Sequence, residues 1–406
     1  MAFRRCVTRI LHAHNYIHPS MSSSIIGIGI ISALGKNLSQ TKENLFADTP
    51  VLPHPPTKIE TSLNLPVFEI PDLPPLPDFP GGYTGQILNI ALDEALAQSN
   101  LSMEDLKKLR VGVAIGTTVA CQLNSIPFYA TLRKGEKPDI KPLLSYINGN
   151  PAEYIRHRLG LHGPAITISN ACSSGADAIG IGHLWLKQDI CDVVIAGGSD
   201  EVNKIPLDGF NALGICSPEP CKPFDANRKG LNLGEAAGVV IMTNRPDACS
   251  PFSVIGFGKR ADAFHITQPK PEGEDLERAI HQALAEAKLT PSDIAFINAH
   301  GTGTEANDAV EAHVFARVFG DSVPFMSTKA LTGHTLGAAG AIEAIFTLLM
   351  LERQLAVKST RFETKPDDFP VAPLRENRPL YDAHAALSTS LAFGGSNTAL
   401  ALQYQP

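Results

Sequence analysis

Apolar and polar positions along the chain alternate between two periods. Short runs of β-branched and aliphatic residues, such as Ser24–Ile31, Val111–Ile115, Ala165–Ile168 and Val193–Ala196 before Gly197-Gly198, read as buried strands. Between them lie helix-period stretches, including Gln86–Gln98, Ser174–Lys187 and Ala338–Met350. Strands and helices that alternate in this way predict an α/β protein with a sheet covered on both faces. Residues 50–82 break the rhythm: they are rich in proline, end in a Gly-Gly pair and predict an irregular excursion.

The pattern also repeats itself. Ala95-Leu-Ala-Gln-Ser-Asn-Leu-Ser-Met-Glu-Asp-Leu106 matches Ala283-Leu-Ala-Glu-Ala-Lys-Leu-Thr-Pro-Ser-Asp-Ile294. Each match ends a helix, turns through an acidic N-cap signal and runs into an apolar strand, Val111–Ile115 in one case and Ala295–Asn298 in the other. Upstream, Ile25-Ile-Gly-Ile-Gly parallels Val254-Ile-Gly-Phe-Gly. Two matches in the same order predict a duplicated fold whose second half begins near Ser250. The expected division is a leader or disordered segment at 1–23, a first half at 24–249 and a second at 250–406.

Composition narrows the function classes. With 406 residues and 44% hydrophobic content, the chain can bury a large core. Charged residues make up 18% and the net charge is −7, which leaves no footprint for nucleic acid or a membrane surface. No apolar run reaches the ~20 residues of a membrane helix, and the longest, Ala341–Leu351, contains Glu343. The seven cysteines (Cys6, Cys121, Cys172, Cys191, Cys216, Cys221 and Cys249) are odd in number and irregularly spaced, which argues against a disulfide framework and for a reducing cytosol. Cys216 and Cys221 form a Cx4C pair with no second pair nearby, so no zinc site is expected. The first twenty residues carry Arg4, Arg5 and Arg9 and no acid; they are compatible with a transit peptide and, more simply, with an upstream start codon or a disordered tail.

Four clusters carry the chemistry. Cys172 lies in Ser169-Asn-Ala-Cys-Ser-Ser-Gly175, between a strand and a helix rich in small residues. A helix N-terminus favours thiolate there, and its free N–H groups suit an oxyanion on an attacked thioester. His300 heads His300-Gly-Thr-Gly-Thr304 at the C-terminal end of a strand, where α/β sheets place their sites. The third cluster, Ser327-Thr-Lys-Ala-Leu-Thr-Gly-His-Thr-Leu-Gly-Ala-Ala-Gly340, sets Lys329 and His334 before a helix, as Cys172 is set in the other half. Glu343, on the apolar helix that follows, requires a cation if buried, and Lys329 is the candidate. The fourth is Ala392-Phe-Gly-Gly-Ser-Asn397, where Gly394 and Gly395 free backbone N–H groups and permit a tight turn.

Taken together and in this order, the four motifs resemble the elongating β-ketoacyl-acyl-carrier-protein synthases of the thiolase superfamily, over roughly residues 24–404. The resemblance implies an α/β thiolase-like fold with duplicated halves in a five-layer αβαβα arrangement, and a homodimer or a heterodimer with a homologous subunit. It further implies that Cys172 accepts an acyl chain from acyl carrier protein. His300 and His334 would then hold the malonyl thioester and stabilise its enolate, with Lys329 and Glu343 fixing the charge around them. The backbone N–H groups of Cys172 and Phe393 would form the oxyanion hole and the Phe393 side chain a gate. Thr302 and Thr304, with Gly394 and Gly395, would contact the substrate arm. Neither metal nor cofactor is implied; substrates ride on the phosphopantetheine of the carrier protein.

Two departures separate the chain from housekeeping fatty-acid enzymes. Leu231, followed by Asn232, stands where those enzymes usually show Phe. The Pro-rich region carries Asp72 and Asp78 rather than the usual basic residues, which moves the expected docking surface toward Arg133, Lys134 and Lys137 unless these form a solvated charge run. Both features resemble ketosynthases of aryl-polyene-type pathways. A degradative thiolase would want a second cysteine near the C-terminus, and none follows Cys249. A non-catalytic chain-length-factor-like partner subunit usually lacks the nucleophile that is present here.

Overall fold

The computed structural model describes residues 22–76, 79–118, 126–141, 150–248 and 250–406. Residues 1–21 of the expected leader, Asp78 and Cys6, Cys121 and Cys249 lie outside this set.

Ten strands form one hydrogen-bonded sheet. The first five are β1 (Ser23–Ser32), β2 (Val111–Gly116), β3 (Ala165–Ile168), β4 (Val193–Asp200) and β5 (Ala236–Thr243). The second five begin with β6 (Phe252–Ala261), β7 (Ile297–Asn298) and β8 (Phe325–Met326). A separate ribbon of β9 (Leu355–Ala356) and β10 (Arg378–Pro379) follows, and β11 (Ala385–Ala392) and β12 (Ser396–Tyr404) complete the large sheet. Its order is β3-β2-β4-β5-β1-β6-β12-β11-β7-β8. Outward from the centre, each half therefore runs first, fifth, fourth, second, third strand. Strand directions repeat as well: the inner pairs are antiparallel and the outer pairs parallel in both halves. The halves meet where β1 pairs with β6 through Ser23 and Ser24.

The glycines of the repeated Ile-Gly-x-Gly motif explain why it recurs. A Cβ at Gly27 or Gly29 would fall 2.2 or 1.8 Å from the carbonyl oxygens of Ala95 and Ala91. At Gly256 and Gly258 it would fall 2.2 and 1.8 Å from those of Ala283 and Ala279. In each half the bare strand lets an outer helix, Gly82–Ser99 or Glu274–Ala287, lie directly on the sheet. The repeated N-cap signals are capping boxes at Ser102 and Thr290.

Helices Ser174–Lys187 and Ala339–Arg353 pack against each other and against strands of both halves, so they form the middle of the five layers. Every residue from Ala339 to Leu351 is buried, which accounts for the long apolar run without a membrane; no helix among the described residues is long and apolar enough to cross one. Of the excursion expected at 50–82, residues 50–76 and 79–81 are irregular, apart from isolated bridges that tie His54 to Val67 and Phe68 to Gly234, and Gly82 already opens a helix. Several boundaries differ: the helix expected at Gln86–Gln98 spans Gly82–Ser99, and the strand expected at Ala295–Asn298 is Ile297–Asn298. Strand β4 does not stop at Gly197-Gly198 but continues to Asp200; the two glycines serve close approach rather than a turn, since a Cβ there would lie 2.0 Å from Gly238 oxygen and 2.7 Å from Gly337 oxygen.

Candidate active site

After β3 the chain turns sharply: Ala171 takes φ +48°, a left-handed conformation costly for a residue with a Cβ. A single 3-10 turn, Ala171–Ser173, then leads into the helix Ser174–Lys187. The turn aims the Cys172 sulfur inward, where the backbone N–H of Phe393 and its own N–H act on it. Burial pushes the Cys172 thiol up to about 11, against the pull of Lys329 and the two N–H donors. Burial thus opposes the thiolate that a helix terminus was expected to favour. Desolvation is the largest influence on this thiol, Cys172 being only 4% exposed.

His300 follows β7. Its backbone N–H and that of Gly301 donate to the two oxygens of Glu311, at 2.7 and 2.6 Å. Lys329 Nζ lies 3.1 Å from His300 Nδ1 and pairs with Glu343, both side chains being buried. An ammonium has only donors, so His300 Nδ1 must accept and the ring proton resides on Nε2. His334 Nδ1 accepts the Leu336 N–H at 3.3 Å, which places its proton on Nε2 too. Nε2 of His334 is buried without a hydrogen-bond partner. Both imidazoles are held well below the usual histidine range, first by burial and then by the Lys329 charge, so both are neutral donors. Their rings stand edge to face with centroids 5.2 Å apart. The Cys172 sulfur and one nitrogen of each ring lie within 4.8 Å of one another. Burial raises Glu343 to about 7, and Lys329 opposes the rise.

Thiol and imidazoles open on a cavity of about 510 Å³, also lined by Phe210, Leu231, Thr302, Thr304 and Phe393. The Thr302 and Thr304 hydroxyls are 2.8 Å apart. Phe393 packs at 5.4 Å on Phe210, which also faces the His334 ring at 6.3 Å. Gly394 and Gly395 do not belong to the lining, contrary to the expected substrate contact. Their N–H groups are already used by Ile266 oxygen at 2.8 Å and Ala392 oxygen at 3.0 Å, and φ values of +83° and +81° show that they make the turn that presents Phe393. Arg133, Lys134 and Lys137 are exposed.

Several residues of this site went unrecognised in the sequence. Glu311 also accepts from Asn307 Nδ2 at 2.9 Å and Thr389 Oγ1 at 3.1 Å. Asp308 accepts the N–H groups of Phe224 and Gly303. A readable signal existed: Asn307, Asp308 and Glu311 share one helix face directly after the glycine loop. Asp200, at the end of β4, accepts Thr117 Oγ1, the Thr118 N–H and hydroxyl, and the Gly337 N–H at 2.6 Å. Phe210 is a further one.

A thiol and two imidazoles this close are also a metal-ligand set in kind. The charge arrangement favours a different use: a neighbouring ammonium repels a cation, and both histidines present N–H rather than lone pairs. Such a trio, seated between the halves of a duplicated thiolase-like fold, defines a condensing enzyme that works on thioesters.

Comparison with known proteins places the chain within that class. Residues 84–248 match the beta-ketoacyl synthase N-terminal domain and residues 252–363 the corresponding C-terminal domain. The chain belongs to the β-ketoacyl synthase family and is a condensing acyltransferase. It is 37% identical over 342 residues to 3-oxoacyl-[acyl-carrier-protein] synthase 2 of Rhizobium meliloti (strain 1021), covering 77% of this chain and 79% of that protein. It is 34% identical over 328 residues to nodulation protein E of Rhizobium meliloti, covering 77% and 80%. Among solved structures, a chain of the complex of the ketosynthase ApeO with its chain length factor ApeC from Xenorhabdus doucetiae superposes with a TM-score of 0.82 at 30% identity, over 96% of this chain and 100% of that one.

Proposed function

We propose that this β-ketoacyl synthase joins a malonyl unit to an acyl chain carried on Cys172. The observation that carries the reading is the convergence of one sulfur and two imidazole nitrogens within 4.8 Å in one cavity. In the first step the Cys172 sulfur attacks the thioester carbonyl of an acyl carrier protein. The carbonyl oxygen becomes an oxyanion facing the N–H groups of Cys172 and Phe393. The carrier thiolate leaves and takes the proton that Cys172 gives up. Malonyl thioester then enters past Thr302 and Thr304, which hydrogen-bond its pantetheine arm. Its carbon–carboxylate bond breaks, carbon dioxide departs, and the electron pair passes into an enolate whose oxygen accepts from His300 Nε2–H and His334 Nε2–H. The enolate carbon attacks the acyl carbonyl, and Cys172 leaves as thiolate and takes a proton from water. Lys329, paired with Glu343, holds His300 in the tautomer that donates into the cavity. The Phe393 side chain, backed by Phe210, gates the acyl side.

The same reading divides the work between halves, 24–249 holding the nucleophile and 250–406 the histidines. It needs no cofactor beyond the carrier's phosphopantetheine. It pairs the chain with a copy of itself or with a homologous subunit, as the ApeO ketosynthase is paired with its chain length factor. Leu231, smaller than phenylalanine on the cavity wall, supports an aryl-polyene-type substrate over a housekeeping one. A reducing cytosolic setting agrees with four free cysteines among the described residues. Incubation with a panel of acyl-carrier-protein thioesters, followed by peptide mass spectrometry, tests the proposal. Acyl mass is expected on the Cys172 peptide; acylation confined to other cysteines contradicts it.

A further inference from the structure

The two donors that face the Cys172 sulfur belong to different halves, at residues 172 and 393, more than two hundred positions apart. No local segment sets their spacing. What joins the halves at this point is a buried polar cluster beneath the elbow. Asp177, 1% exposed and one turn into the helix after Cys172, accepts from four donors. Asn170 Nδ2 (2.6 Å) and Ser173 Oγ (3.0 Å) flank the nucleophile in the first half, and Thr398 Oγ1 (2.7 Å) and Lys259 Nζ come from the second. Ser396 Oγ lies 2.9 Å from Asn170 Nδ2, 3.1 Å from Ser173 Oγ and 3.3 Å from Lys259 Nζ. Ser396 pairs with Ala392 across the turn that carries Phe393, so the cluster grips the elbow and the Phe393 turn together. Lys259 is the one cation paired with this carboxylate among the described residues. Without it, a buried carboxylate lacks its counter-ion, which loosens the bonds to Asn170, Ser173 and Thr398.

We infer that Lys259 and Asp177 are positioning residues for thioester attack: their ion pair sets the distance between the Cys172 and Phe393 N–H groups. This inference rests on the proposed role of Cys172. Lys259 touches no reacting atom, and its half-exposed stem allows replacement without leaving a core cavity.

The test compares two reactions of the same sulfur in the full chain. Acyl transfer from a hexanoyl-carrier-protein thioester builds an oxyanion and needs the aligned donors. Alkylation by iodoacetamide is a displacement at carbon that builds none. Lys259→Met is expected to slow acylation of Cys172 by about tenfold or more while alkylation stays within about twofold, and Lys259→Arg to recover acylation to within about threefold. Ser396→Ala, which keeps the ion pair, is expected to show the same split at about threefold and serves if Lys259→Met does not fold. Equal losses in both reactions, or no loss in either, overturn the inference. Failure of the wild-type chain to accept acyl on Cys172 would instead overturn the reading beneath it.

Discussion

The two halves build the same elbow and use it differently. Ala171 at φ +48° precedes Cys172, a 3-10 turn and a helix starting at Ser174. Leu336 at φ +55° precedes Gly337, a 3-10 turn and a helix starting at Ala339. Gly337 thus stands where the duplicated half has its nucleophile. At the first elbow the backbone N–H of residue 172 faces its own sulfur and, on the proposed reading, the substrate oxyanion. At the second, the Gly337 N–H is occupied by the Asp200 carboxylate at 2.6 Å, and a Cβ would fall 2.7 Å from that carboxylate and from Thr117 backbone. Duplication supplied two strained turns aimed at one seam. One keeps a reactive group, and the other is closed by an acid and contributes only the approach of His334. Chemistry that needs a nucleophile and two donors is thereby spread over both halves without competing for one turn.

The comparison can be broken at several points. Cys172→Gln removes the thiol placed at the first elbow; condensation is expected to fall by about 10⁴-fold or more, while malonyl decarboxylation, followed as carbon dioxide release, persists. Residual condensation near the wild-type rate would show that the first elbow is not the acyl carrier. Gly337→Ala asks whether the second elbow could hold a side chain. The clash with Asp200 and Thr117 is expected to cost about 2 kcal/mol and to lower the thermal midpoint by several degrees, whereas an unchanged midpoint would mean that the second turn is open. The resting protonation states give the next test. Burial disfavours the charged thiolate and raises Cys172 to about 11, so its alkylation rate in the empty enzyme is expected to climb about tenfold per pH unit from 7 to 10. A plateau near pH 7 would mean that the helix terminus wins. The smallest expected effect is none: burial and the Lys329 charge disfavour the imidazolium forms, so decarboxylation holds steady from pH 8 down to pH 6. A loss centred near pH 6.5 would place charged histidines in the mechanism.

The fold was legible where repetition forced it. Glycines that must lie under helix carbonyls recur in both halves, and a reader of the sequence sees them twice. The groups destined for the cavity were legible for a similar reason, since a thiol, two imidazoles and a lysine stand out against glycine-rich turns. Asp200 was not, because Gly197-Gly198 read as the end of a strand and hid the two residues that continue it. Lys259 was not, because its alternation within β6 resembles an ordinary solvent-facing charge; only the three-dimensional approach of Asp177 gives it a partner. Gly394 and Gly395 were misread because free N–H groups follow from a glycine turn in sequence but are already hydrogen-bonded in the fold. The burial that raises the Cys172 thiol was not legible, because it arises only when segments distant in the chain close over the elbow.

On the proposed reading, two neutral imidazoles and one thiol share a cavity but serve different steps. Single-turnover measurement of carbon dioxide release and of acyl transfer to Cys172, made side by side in wild type, His300→Ala and His334→Ala, tests it most directly. The account predicts that each histidine variant slows carbon dioxide release by about a hundredfold and leaves acyl transfer within about threefold. Equal slowing of both steps, or carbon dioxide release untouched by either substitution, would contradict it.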